Sequence, residues 1–126
     1  MIKPEQKGEP YLPHDGMIKL DEYKPIDPRK FKISVEVGIG QEGREGFDIY
    51  TLDICTPQWL SEDLKNNGKP IFINGMLLVE LYQPKIIANR ISEIIRSTTG
   101  KDWNEYNRKI ARYFHWEFED SEPIGG

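Results

Sequence analysis

The clearest alternation of apolar and polar positions runs from Phe31 to Ile39, where Phe31, Ile33, Val35, Val37 and Ile39 are interleaved with Lys32, Ser34, Glu36 and Gly38. A period of two sends successive side chains to opposite faces, so this stretch predicts a strand with one face buried and one in water. Gly40 to Gly46 is a polar loop punctuated by glycines, and Phe47 to Cys55 beyond it is rich in β-formers (Ile49, Tyr50, Thr51, Ile54). Together they predict an antiparallel hairpin. Met17, Ile18, Leu20 and Tyr23 suggest a shorter strand before it, followed by the turn-rich Lys24-Pro25-Ile26-Asp27-Pro28.

Beyond the hairpin the period changes. Thr56-Pro57 combines an N-cap oxygen with a proline at the first helical position, and the helix it opens, Gln58 to Asn67, presents Trp59, Leu60 and Leu64 before Gly68. Ile71 to Ile73 and Met76 to Tyr82 read as two strands joined by a tight Asn74-Gly75 turn. Pro84 opens a second helix with Ile87, Ile91, Ile94 and Ile95 on one stripe, and Gly100 is the expected stop. Asp102-x-x-Glu105 resembles a capping box for a third helix that aligns Trp103, Tyr106, Ile110 and Tyr113. Strands joined by short turns and interrupted by three helices favour an α+β fold, a largely antiparallel sheet with about three helices packed on it.

A length of 126 residues suits a single domain with a real core. Residues 1–16 hold three prolines, two glycines and no apolar period, so they are expected to form an extended arm that adds little to the core, with residues 17–126 as one α+β domain. No apolar run approaches the roughly 20 residues needed to span a bilayer, and the first residues lack the apolar core of a secretory signal. A cytoplasmic protein is the expectation, with no membrane partner. Cys55, the sole cysteine, sits among Leu52 and Ile54 and reads as a buried thiol rather than a nucleophile or part of a thiolate metal cage.

The formal net charge of -4 is unevenly spread: seven bases and three acids between Pro84 and Tyr113 leave that stretch at +4 and the remainder at -8. The bases fall on the outer sides of two amphipathic helices, and a pI near 5.2 makes the chain a poor phosphate binder. Nucleic acid is therefore not an expected partner, although an adaptor using those helices is one rival reading.

The inventory of catalytic groups is short. His14 lies in the arm, and His115 is wedged between Phe114 and Trp116; beside Glu117 it could act as a pH-responsive imidazole or simply as a hydrogen-bonded structural one. Gly38-x-Gly40-x-x-Gly43 matches a dinucleotide fingerprint in spacing only, because the chain continues into a strand rather than the helix that would receive the pyrophosphate. Asp48, Asp53, Glu117 and Asp120 could in principle assemble a carboxylate metal site, the basis of a second rival, a small metal enzyme. Nothing in their spacing specifies it, so no enzyme activity, catalytic residue, metal or cofactor is expected.

What remains is acidity in two places. The hairpin carries Glu42, Glu45 and Asp48, and the tail carries Glu117, Glu119 and Asp120 among the aromatics of Tyr113-Phe114-His115-Trp116-Glu117-Phe118. An extended tail would aim Trp116 and Phe118 into the domain and Glu117 and Glu119 outward. Trp59, Trp103, Tyr113, Trp116 and Phe118 are expected in the core. The six carboxylates form a candidate surface for a basic partner such as the cleft of a nuclease.

Several segments together resemble the immunity protein 8 family of bacterial polymorphic toxin systems. They are Phe47-Asp48 leading into Cys55-Thr56-Pro57-Gln58-Trp59-Leu60, the strand Leu77 to Tyr82 with the isoleucine-rich helix after it, Gly100-x-x-Trp103-x-Glu105, and Arg112-Tyr113-Phe114-His115-Trp116-Glu117-Phe118-Glu119-Asp120. The similarity spans about Met17 to Asp120 and does not extend to the proline-rich arm. Where the family pattern often continues with an aromatic, this chain has Ser121. The resemblance implies an α+β immunity protein that binds and neutralises the C-terminal domain of a cognate polymorphic or contact-dependent toxin, in one-to-one complex.

Overall fold

A computed structural model describes residues 1–118. Its elements are β1 (Pro4–Leu12), a short 3-10 turn (Pro13–Asp15), β2 (Ile18–Lys19), β3 (Lys32–Gln41), β4 (Phe47–Cys55), α1 (Pro57–Asn67), β5 (Met76–Leu78), α2 (Pro84–Ser97), α3 (Trp103–Ile110) and β6 (His115–Trp116). One sheet runs in the order β2-β1-β3-β4-β5, with β6 also on β4. All its pairings are antiparallel except β4 with β5. The α+β architecture expected from the sequence is the one observed.

The hairpin of β3 and β4 is the centre of the sheet. Its register pairs Ile33 with Ile54, Val35 with Leu52 and Val37 with Tyr50, so the alternating apolar residues of both strands share one face. That face meets Ile87, Ile91 and Ile95 of α2, Tyr106 and Ile110 of α3, and Phe114, all buried. Two buried phenols tie the layers together. Tyr106 donates from its hydroxyl to the Ile95 carbonyl (3.1 Å), and Tyr50 donates to Asn107 across the sheet–helix boundary. Burial raises the pKa of both, because a phenolate would lose its hydration there.

The N-terminal segment differs from expectation. Rather than an arm adding little to the core, Pro4–Leu12 is an interior strand between β2 and β3, and Leu12 is only 1% exposed. Its prolines and glycine hid the strand. Pro4 occupies the first position, and Gly8 (φ 90°) and Pro10 fall within the irregularity between Lys7 and Tyr11, where the register shifts and a ladder N–H is not required.

A second difference lies after α1. Residues 71–74 form no strand, and Met76–Leu78 pairs with β4 in parallel rather than with a preceding hairpin partner. A strand, a helix and a strand in succession make a crossover unit, which is how parallel neighbours are joined. Gly75 still adopts the left-handed conformation of a turn (φ 63°), and a Cβ there would strike the His115 ring.

The helix ends follow local chemistry. Thr56 accepts the Trp59 amide (3.3 Å) and also the Phe31 amide (3.3 Å), and Gly68 closes α1 with φ 64°. Despite Trp59, Leu60 and Leu64, α1 has no fully buried residue. The stop of α2 is Thr98, whose hydroxyl returns to the Ile94 carbonyl (2.8 Å); Gly100 is needed instead because a Cβ would lie 2.7 Å from the Tyr106 amide. Asp102 caps α3 by accepting from the Glu105 amide (2.9 Å), while the Glu105 carboxylate reaches Lys101 rather than closing the box on Asp102.

Candidate functional site

With α2 and α3 on one face of the sheet, the opposite face is set by the alternate positions of the same strands. Register places Tyr11 opposite Glu36, Glu36 opposite Thr51, and Ser34 opposite Asp53, all on that second face and all half-buried. His115 lies opposite Thr51, so Glu117, two residues on, continues along the same face.

Three carboxylates on this face are held by neutral donors. Tyr11 donates its hydroxyl to Glu36 (2.8 Å), Ser34 donates to Asp53 (2.5 Å), and the Ile49 amide donates to Glu117 (2.8 Å). The Glu117 amide returns a bond to the Ile49 carbonyl (3.0 Å), fixing the tail to β4. Among the described residues, Asp53 alone of the three has an ion-pair partner, Lys32 at 3.9 Å, and that ammonium also lies over the Trp59 ring, 5.1 Å from its centroid. Neutral donors orient a carboxylate without cancelling its charge. The field is felt by Tyr11, whose pKa is pushed up to about 12, first by burial and then by its bond to Glu36, with Glu117 adding to the effect.

The residues singled out from the sequence divide into several groups. Glu42 and Glu45 stand exposed on the loop between β3 and β4. Asp48 is half-buried on the core side, where it accepts the Trp116 indole N–H (3.1 Å), so much of its role is to anchor the tail. Pairing of β4 with β6 brings Asp48 and Glu117 to the same end of the sheet, and a cleft of about 450 Å³ opens beside them, lined by Arg44, Phe47, Asp48 and Trp103 among others. Glu119 and Asp120 lie outside the described residues.

Of the aromatics expected in the core, Trp103 and Trp116 are partly buried and pack against it. Tyr113 and Phe118 are not core residues, at 42% and 45% exposed. Tyr113 falls after α3 has ended, so the helical stripe no longer governs its direction, and Phe118 contacts Trp116 edge-on (5.4 Å) from the outside. Trp59 is half-buried beneath Lys32 rather than enclosed. Of the sheet-face acids, Glu36 was not among the candidates, and Asp53 was considered only as a possible metal ligand and not as part of the surface for a basic partner. Their signal was the polar half of the same alternation that predicted the strands.

Cys55 is buried, and desolvation raises its thiol pKa above the ordinary value. Among the described residues no group of three or more His, Cys, Asp and Glu side chains could hold a metal ion. Among them, too, no helix is long and apolar enough to cross a membrane.

The architecture defines a class: a small α+β protein whose single sheet carries α2 and α3 on one face and a polar, acid-bearing surface on the other. The chain belongs to the immunity protein 8 family, whose model matches residues 12–121. Membership in a family of immunity proteins implies a toxin as partner. No curated protein and no solved structure matches the chain.

Proposed function

We propose that this chain neutralises the C-terminal domain of a cognate polymorphic or contact-dependent toxin, a nuclease, by one-to-one occlusion of its basic site in the cytoplasm of the producing cell. It acts as an inhibitor without catalysis, cofactor, nucleic acid or membrane. The observation that carries this reading is the polar sheet face, where Glu36, Asp53 and Glu117 are oriented by Tyr11, Ser34 and the Ile49 amide, and where Lys32 beside Asp53 is the one ion-pair partner of the three among the described residues. Carboxylates fixed in this way present negative charge at little further ordering cost on binding. Exposed Glu42 and Glu45 extend the surface onto the loop of the hairpin, and Glu119 and Asp120 are its further members in sequence.

Such a surface steers a basic partner and excludes partners of like charge. The test is the triple variant Glu36→Gln, Asp53→Asn and Glu117→Gln, which keeps every acceptor but removes the charge. Each desolvated, paired carboxylate lost should weaken binding by about 2–5 kcal/mol, whereas a rim carboxylate should chiefly slow association. A folded triple variant that binds the toxin domain with wild-type rate and affinity would remove this face from the interface.

A further inference from the structure

From Pro70 to Val79 the chain has ten consecutive residues without a charge, in a sequence that is 30% charged overall. Such a run would ordinarily be core. Here Phe72 is 100% exposed, Ile73 62% and Leu78 55%.

The backbone adds to this. β5 is the end of the sheet order, with no strand beyond it among the described residues. Gly75 and Val79 bond toward β4, through the Asp53 amide to the Gly75 carbonyl (3.0 Å) and the Val79 amide to the Cys55 carbonyl (2.9 Å). By the period of two, the N–H and C=O groups of Met76 and Leu78 therefore point away from the sheet. Natural sheets protect such an edge with lysine, proline, a bulge or a covering element. Met76–Leu78 carries none of the first three.

We propose that β5 and the preceding Phe72-Ile73 form the apolar centre of the interface, and that its occupant is an extended apolar segment of the toxin domain flanked by basic residues, added alongside β5. The inference rests on the toxin-binding reading given above. Charge complementarity selects the occupant. The Asp53 amide is bonded to Gly75 and His115 Nε2 lies 3.1 Å from the Asn74 carbonyl, so this edge is continuous with the face bearing Asp53 and Glu117, and Glu80 follows directly. Arg90 and Arg112 line the groove on the helix side of Met76 and Leu77, so the acids lie on the sheet-face side of the apolar centre, and a partner fits that sets its basic residues on that side, in the usual anatomy of an interface. A second copy of this chain would bring its own Asp53, Glu80 and Glu117 against these.

The experiment uses the full chain and the C-terminal domain of the large protein encoded beside it, with Phe72→Ser and Phe72→Asp measured by calorimetry. Both variants should keep the thermal midpoint of the free chain, since the ring touches little, and should lose roughly 30-fold or more in affinity as an anchor residue does. If the wild type binds and folded Phe72→Asp binds equally well, the apolar centre is wrong while the toxin-binding reading stands. Absence of wild-type binding would overturn both. A free chain that is a dimer, turned to monomer by Phe72→Asp, would assign the edge to self-association and overturn the inference.

Discussion

The hydrogen bond from Trp116 to Asp48 should be a measurable part of the stability of the folded chain. The indole nitrogen lies 3.1 Å from the Asp48 carboxylate, and both residues are half-buried. Bonds to charged groups contribute roughly 1.5–3 kcal/mol when shielded, and exchange with water lowers this at a half-exposed site. We therefore expect a coupling of about 1 kcal/mol between the two side chains. The perturbation is a double-mutant cycle of Asp48→Ala and Trp116→Phe, followed by urea unfolding monitored by circular dichroism. For a chain of this size the single Asp48→Ala change should lower the thermal midpoint by about 4 °C. Phenylalanine retains much of the apolar packing but has no donor, so in its background Asp48→Ala should cost much less. Equal costs in both backgrounds, agreeing within about 0.3 kcal/mol, would refute the assignment of Asp48 as the tail's anchor.

Two further outcomes follow from backbone and titration chemistry. Gly75→Ala should destabilise by about 2–3 kcal/mol, since it combines left-handed strain with displacement of His115, whereas Gly68→Ala, with open space around its Cβ, should cost only about 1 kcal/mol; thermal unfolding of the pair compares them directly. Tyr11 has a pKa raised to about 12 from 10.0, so its neutral form favours the fold; that stability is complete below pH 10 and is lost as the pH rises through about 12. Unfolding at pH 9 and near pH 12 should reveal a loss in the wild type that is smaller in Tyr11→Phe, and an identical alkaline loss in both would contradict the Tyr11–Glu36 assignment.

Elements governed by a strict local period were legible. The alternation from Phe31 to Ile39 became β3 within a residue or two, and the isoleucine stripe put Ile87, Ile91 and Ile95 in the core of α2. Thr56 and Asp102 marked their helix starts because capping is a matter of neighbouring residues. What was hidden depends on partners distant in sequence. β1 carries two prolines and a glycine that argue locally against a strand, and only its pairing with β3 makes room for them at the start and in an irregularity. The parallel pairing of β5 was missed because Asn74-Gly75 is a strong hairpin signal, yet strand, helix and strand in succession already pointed to a crossover.

The site was legible in part for the same reason. Acid-rich Glu42, Glu45 and Glu117 stand out in a linear reading, whereas Glu36 and Asp53 become neighbours only through the register of β3 and β4. Asp48 looked like a surface acid because its indole partner lies 68 residues away. Tyr113 and Phe118 looked like core because aromatic rings usually are, but the end of α3 at Ile110 and the turn after Trp116 leave both outside.

The most direct measurement is calorimetric titration of the intact chain with the C-terminal domain of the large protein encoded beside it, combined with an assay of that domain's toxicity. The predicted result is tight one-to-one binding that abolishes toxicity and weakens steeply as salt is raised, because charge steers the encounter. Absence of binding, or binding that leaves toxicity intact, would contradict it.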